Sequence, residues 1–261
     1  MKLARFRAAG RARYGRVEGD LLREVRGSPF RGDLRETGKT YRLSDVVLLP
    51  VTVPRQLVGG VGINYYDHAA QGDEMAGKRL SAMGVQPFFT SNVSLTGSGS
   101  PIVITREARE VHYEGELVVV IGRKARHVSK EQALDYVLGY TCGNDVSEKG
   151  SWERDFSLWR AKGLPTWSPV GPWIVTDIAP GNLDITVRVN GQVHHTFNTR
   201  NMVHDVPTIV SFLSQYTTLY PGDLIFTGTS GTTRAMKPED VAEVEISGIG
   251  TLRNPVVAER G

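Results

Sequence analysis

Two glutamates separated by one residue stand in HYEGELVVVIG, residues 112–122, just ahead of an apolar run. On a strand, side chains alternate with period two, so Glu114 and Glu116 share a face with Val118 and Val120. Leu117, Val119 and Ile121 then take the other face, and apolar residues on both sides describe a central strand. Two carboxylates there repel each other and lose hydration. A divalent cation relieves both problems, and oxygen ligands without thiols select a hard ion such as Mg²⁺ or Mn²⁺. The simpler alternative is a strand end where both glutamates meet solvent. A third oxygen ligand separates the two readings, and Asp145 in GYTCGNDVSEKG is the candidate if the chain returns to the same place.

Other segments offer the groups that would work around such an ion. In GGVGINYYDHAAQGDEMAGK, residues 59–78, Gly60-Val61-Gly62 opens like a dinucleotide loop, but Tyr65 occupies the third glycine position. No helical βαβ context follows, and that reading is excluded. Asn64 and Tyr65 end an apolar strand, and the polar, Gly-punctuated stretch behind them reads as a lid delivering His68 as a base, or as an exposed loop histidine. Lys162 precedes LPTWSPVGPW, where Pro165, Pro169 and Pro172 stiffen the chain; it either faces an anion or is a solvated surface lysine. In GDLIFTGTSGTT, residues 222–233, a strand runs into Gly, Thr and Ser whose amides suit a carboxylate, or form an ordinary turn. His194, His195 and His204 match no zinc spacing, and a strand sends 194 and 195 to opposite faces.

The elements that must position these groups are mainly strands. RQLVGGVGINY, SPIVIT, HYEGELVVVIG, GPWIVT, DITVRVNGQVHHTF, DLIFTGT and VAEVEISGIGTLRNPVV carry β-branched residues between turn formers. Asn190-Gly191 between alternating apolar residues predicts a two-residue type I′ hairpin. Two helices are expected. One covers residues 130–139, capped by Ser129 and ended by Gly139. The other covers residues 206–215, with Val206, Ile209, Val210 and Leu213 on one face. Residues 1–53 read as a small strand-rich N-terminal region, with Pro50 and Pro54 bracketing a linker, and residues 54–261 as the catalytic domain.

Composition narrows the class. Among 261 residues, 31 Lys and Arg stand against 28 Asp and Glu, and a net charge of +3 argues against a nucleic-acid partner. Cys142 is the single cysteine, so no internal disulfide is needed. No apolar run approaches the roughly 18 residues of a membrane span. The start, MKLARFRAAGRARYGR, lacks the apolar stretch of a secretory signal. Its arginines resemble a transit peptide, but Gly10, Tyr14 and Gly15 fit a turn between strands better. A cytoplasmic protein with no membrane partner is expected.

Seven blocks, in order over about residues 55 to 257, resemble the fumarylacetoacetate hydrolase family. They are VGINYYDH, PFFTSNVSLTGSGSPIVI, HYEGELVVVIG, GYTCGNDVS, the stretch RAKGLPTWSPVGPWIVT, VNGQV and LYPGDLIFTGT. The branch most similar is that of small acylpyruvate hydrolases and 2-hydroxyhepta-2,4-diene-1,7-dioate isomerases. The resemblance implies an α+β, mostly β fold of the mixed β-sandwich roll type, a homodimer and a catalytic Mg²⁺ or Mn²⁺. It places metal ligands at Glu114, Glu116 and Asp145, the lid histidine at His68, the active-site lysine at Lys162 and the carboxylate-binding threonine at Thr229. Asn64, Tyr65, Thr90, Lys149, Thr227 and Gly228 fall where substrate contacts are expected.

Departures lie at the substrate end. Gln71 stands where the family's hydrolases pair a Glu with the lid histidine, and Gln offers no charge to stabilise imidazolium, although Asp73 or Glu74 could replace it. Thr90 replaces a lysine, Lys149 an arginine, His195 a glutamine and Ser230 a proline. The family implies action on a small 2-oxo or enol carboxylic acid, with Lys162 and the Thr227–Thr229 amides assisting. C–C hydrolysis of an acylpyruvate-type diketone through a metal-stabilised enolate leads. The alternatives are isomerisation, tautomerisation or decarboxylation of a 2-oxo diacid, or non-catalytic binding of metal and oxo-acid.

Overall fold

The computed structural model describes residues 1–69, 82–151 and 155–260. The chain opens with β1 (Lys2–Ala8), β2 (Arg11–Glu18), β3 (Leu21–Arg26), β4 (Arg35–Arg42) and β5 (Val47–Leu48). Then come β6 (Leu57–Val61), β7 (Pro87–Thr90), β8 (Leu95–Thr96), β9 (Ile102–Ile104), β10 (Val111–His112) and β11 (Gly115–Ile121). After these lie β12 (Val137–Asn144), β13 (Ser147–Glu148), β14 (Ser168–Val175), β15 (Asp184–Val189) and β16 (Gln192–Asn198). The last are β17 (Leu224–Phe226), β18 (Ala235–Met236), β19 (Val241–Ile246) and β20 (Gly250–Ala258). The fold is mostly β.

β11 is the central strand that its doubly apolar sequence predicts. It pairs with β12 on one side and β17 on the other, within a large sheet ordered β4-β3-β2-β1-β14-β12-β11-β17-β6-β7. All seven of its residues are buried. Period two divides them between two cores. Leu117, Val119 and Ile121 join the larger core with Val187, Val244 and Leu252 of a five-stranded sheet ordered β16-β15-β19-β20-β9. Val118 and Val120 join a second core with Leu57, Val170, Ile174, Leu224 and Phe226. A three-stranded sheet, β13-β10-β18, completes the body.

The N-terminal strands belong to the large sheet rather than standing apart. β1 pairs antiparallel with β14, Leu3 opposite Ile174, and Leu3 is buried in the second core. The stretch between Pro50 and Pro54 is packed, with Val51 and Thr52 both buried. Buried Asp223 anchors the chain as it enters β6, its Oδ1 accepting the backbone N–H groups of Arg55 and Gln56, both at 2.9 Å.

One expected helix is absent. Residues 130–139 contain only a 3₁₀ turn, Ala133–Tyr136, before β12 begins at Val137. Gly139, expected to end a helix, is a strand residue opposite Val120. A Cβ there would lie 2.3 Å from the Val175 carbonyl oxygen of β14, so the glycine serves strand approach. The other expected helix forms as Val206–Tyr216, with Asp205 Oδ1 accepting the Thr208 N–H as N-cap and Val206, Ile209, Val210 and Leu213 buried. The predicted hairpin joins β15 and β16, with Asn190 and Gly191 at φ 53° and 75°, as type I′ requires.

Candidate active site

The strand carrying Glu116 stops short of Glu114. A break at Tyr113 and Glu114 separates β10 from β11, correcting the expectation of one continuous strand. The break is held reciprocally with the end of β12. Glu114 N–H donates to Asn144 Oδ1 at 2.9 Å, and Asp145 N–H donates to the Glu114 carbonyl at 2.8 Å. Register does the rest, since Gly115 faces Asn144 and Glu116 faces Gly143. A Cβ on Gly143 would meet Val118 Cγ2 at 2.4 Å and Phe226 Cε1 at 2.6 Å, so only glycine lets the three strands close. Asp145 is thereby brought beside the two glutamates. Carboxylate oxygens of Glu114, Glu116 and Asp145 lie within 4.8 Å of one another, and all three residues are buried.

Lys162, in the short helix Trp159–Lys162, supplies positive charge. Its ammonium donates to Glu114 Oε2 at 2.7 Å and to Asp145 Oδ2, and lies 5.3 Å from the Phe88 ring centroid. Lys149 donates to Glu114 Oε1 at 3.0 Å. Burial pushes the Glu114 carboxyl up, but the Lys162 and Lys149 charges outweigh it and hold the group at about 2. Glu116 touches neither lysine. Burial, with the charge of Asp145, lifts it well above the usual carboxylate range, although Gly228 N–H donates to its Oε2 at 2.6 Å. Asp145 is raised to about 7, mainly by burial, against the pull of Lys162. The lysine itself is held above its normal range, because Asp145 and Glu114 more than offset the cost of burying it.

A divalent cation fits this donor set. Asp145 Oδ1 is buried without a hydrogen-bond partner, and Glu116 is left short of positive charge. The donors of the triad are all oxygens, which selects a hard ion. The carboxylates face a cavity of about 150 Å³ also lined by Gly60, Ile63, Phe88, Leu158, Lys162 and Thr229. Ile63 and Leu158, at φ 51° and 59°, adopt a left-handed backbone that side chains disfavour, as is common where a site imposes its shape.

The remaining expected residues divide into wall and scaffold. Gly228 and Thr229 line the cavity, and Lys149 reaches it through Glu114. Gly228 sits at φ 97°, where a Cβ would meet Asn64 Cβ at 2.8 Å, so glycine is required. Asn64, expected to contact substrate, bolts two loops together. Its Nδ2 donates to the carbonyls of His204 and Thr227, and its Oδ1 accepts the His204 N–H. Thr227 is likewise occupied, its hydroxyl donating to the Leu117 carbonyl at 2.8 Å. Tyr65 is buried with an unpartnered hydroxyl, and burial, with the charges of Glu116 and Asp67, raises its pKa. Thr90 Oγ1 is also buried and unpartnered. His68 belongs to the short helix Tyr66–Ala69, but its side chain lies outside the described residues. So do Gln71, Asp73 and Glu74.

Sequence reasoning missed Phe88 and Asn144. The first carries no polar signal, and the second was hidden beside the more conspicuous Asp145. The pattern at His194 and His195 also differs from expectation. Val187 faces His195 while Arg188 faces Val193, so His194 is the extra residue of a bulge and strict alternation fails there. His194 Nδ1 lies 3.2 Å from Tyr113 Oη. Among the described residues, the only cluster with metal-ligand geometry is the acidic triad.

No helix among the described residues is long and apolar enough to cross a membrane. Comparison with known proteins gives two family models, "Fumarylacetoacetate (FAA) hydrolase C-terminal" over residues 58–257 and "Rv2993c-like, N-terminal" over residues 1–50. Protein Rv2993c of Mycobacterium tuberculosis is 40% identical, with 98% of each chain covered. The solved 2-hydroxyhepta-2,4-diene-1,7-dioate isomerase from Mycobacterium marinum is 38% identical over all of both chains, with a TM-score of 0.89. Maleylpyruvate hydrolase from Sphingobium sp. SYK-6, solved with manganese(II) and pyruvate, is 27% identical over all of both chains, with a TM-score of 0.81. A matched model spanning most of the sequence and a full-length relative at 40% identity show that the chain belongs to the fumarylacetoacetate hydrolase family of enzymes.

Proposed function

We propose that this enzyme holds a divalent cation, Mg²⁺ or Mn²⁺, on Glu114, Glu116 and Asp145 and hydrolyses a C–C bond of an acylpyruvate-type diketone. One arrangement carries the reading: three buried carboxylates meet beside Lys162 on the wall of a cavity that Thr229 also lines. When bound, the cation supplies positive charge that polarises the oxo group and favours the enolate form. The protein's own groups do the remainder. Thr229 and the adjoining amides receive the substrate carboxylate. Lys162 presents ammonium hydrogens toward developing negative charge on oxygen. His68 takes a proton from water as the water oxygen bonds to the acyl carbon. The C–C bond breaks with its electron pair left on the pyruvate fragment, and a proton returns to that carbon.

A second reading is isomerisation of a 2-oxo or enol diacid. The full-length likeness to the Mycobacterium marinum isomerase favours it, and it requires proton transfer between carbons without activation of water.

Purified protein loaded with Mg²⁺ or Mn²⁺ is to be assayed with acylpyruvates, oxaloacetate and a 2-hydroxymuconate-type diacid. Hydrolysis predicts equimolar pyruvate and carboxylic acid from the acylpyruvate. Rearranged diacid with no pyruvate released assigns the isomerase reading instead. Metal-loaded protein that turns over none of them overturns both.

A further inference from the structure

Beside the cavity, three elements meet in a polar chain that the proposed reaction does not use. Ser230 Oγ donates to Asp67 Oδ2 and lies 3.3 Å from His195 Nε2. Asp67 belongs to the helix that carries His68, Ser230 directly follows Thr229, and His195 lies on β16. The path from cavity wall to His68 is therefore Thr229–Ser230 by one peptide bond, one hydrogen bond to Asp67, and one peptide bond more.

Donor arithmetic fixes the direction of the chain. An ionised carboxylate only accepts, and a serine hydroxyl has one hydrogen, which goes to Asp67. The contact between His195 and Ser230 is then a hydrogen bond only if imidazole Nε2 carries the proton and donates. Ser230 is buried, at 2% exposure, so water is a poor substitute for either partner. Apolar contacts close the circuit. His195 stacks on Phe197 with centroids 5.2 Å apart, and Phe197 meets the Tyr65 ring edge-on at 5.2 Å. Tyr65 is two residues before Asp67, so the circuit returns to its start. Gly231 leaves room for the imidazole, since a Cβ there would lie 2.6 Å from His195 Nε2.

We propose that Ser230 and His195 are positioning residues that tie the backbone carrying His68 to the carboxylate-receiving wall at Thr229. Substrate seated on that wall then meets a base whose placement is set by the same loop. This rests on the function proposed above, and its test includes a readout that needs neither metal nor substrate.

Hydrogen–deuterium exchange of a peptide spanning residues 62–69 is to be followed in the metal-free protein. Loss of one part-buried hydrogen bond to a charged group in Ser230→Ala predicts about tenfold faster exchange, and loss of its charge in Asp67→Asn a smaller increase, with no change in the exposed control Thr196→Ala. In turnover assays, Ser230→Ala and His195→Phe lower kcat about tenfold while KM moves less than about twofold. His195→Gln keeps a donor and restores most of kcat. The Asp67→Asn, Ser230→Ala double variant is no slower than the worse single variant, because one chain has been cut twice. Unchanged exchange in Ser230→Ala overturns the proposal, as does an equal kcat loss in His195→Gln and His195→Phe. Wild-type protein inactive on every oxo-acid refutes the reaction instead, and the exchange result still decides the tie.

Discussion

At the scale of single residues, charge separates two carboxylates that sit side by side. Glu114 has two ammonium partners, whereas Glu116 has one backbone N–H and two acidic neighbours. A carboxyl whose folded pKa is raised above its unfolded value costs stability at any pH above the unfolded value, about 4.3 for Glu. Glu116→Gln therefore removes a penalty at neutral pH while retaining an oxygen for the Gly228 N–H. The expected result is a metal-free melting temperature higher by about 2–4 °C, with Mn²⁺ affinity reduced at least about tenfold. Scanning calorimetry and titration calorimetry measure the two effects, and a lower melting temperature would show that Glu116 is structurally needed without metal. Cys142 shows the opposite use of burial. Its thiol, pushed up to about 12 by burial, donates to the Gly250 carbonyl at 3.3 Å. Iodoacetamide at pH 8 should leave it unlabelled in native protein and label it in denaturant. Native labelling at the rate of a free thiol would contradict the packing of β12.

At the scale of elements, glycines set how closely the site strands approach. Gly143 lets β12 pass Val118 and Phe226, and Gly60 lets β6 pass Phe88. Gly143→Ala pushes a methyl into the buried side chains of Val118 and Phe226 and displaces the strand that delivers Asp145. Destabilisation of about 1–3 kcal/mol is expected, with metal binding weakened in the fraction still folded. A melting temperature equal to wild type would show that the strands can separate without cost. The missed helix at 130–139 belongs to this scale as well. Ser129 and Gly139 looked like caps, yet Val137 and Gly139 pair with Ile121 and Val120 in the sheet while Leu138 packs on the second core, and local propensity yields to the sheet.

Across the whole molecule, β1 and β14 join the N-terminal strands to the sheet bearing the site. Leu3 sits in the same core as Val118 and Phe226. Leu3→Ala should cost about 2–5 kcal/mol and lower one shared unfolding transition. Separate transitions by fluorescence and calorimetry, with only the first shifted, would show that the N-terminal region melts independently.

Periodicity and composition by themselves determined that β11 is central, that residues 206–215 form an amphipathic helix and that Asn190-Gly191 turns a hairpin. Each is a local pattern whose burial or dihedral demands few distant partners. The sequence also marked Glu114 and Glu116 as neighbours by their spacing, although the strand expected to carry both breaks at Tyr113 and Glu114. Family likeness named Asp145, 29 positions beyond Glu116 in the chain, as the third ligand, but only the tertiary structure showed its oxygens beside both glutamates, Lys162 bridging two members of the triad, and the Asn64 amide bonded to His204 and Thr227. Those placements depend on strand register and on glycine-limited approach between elements far apart in sequence, which no local pattern encodes.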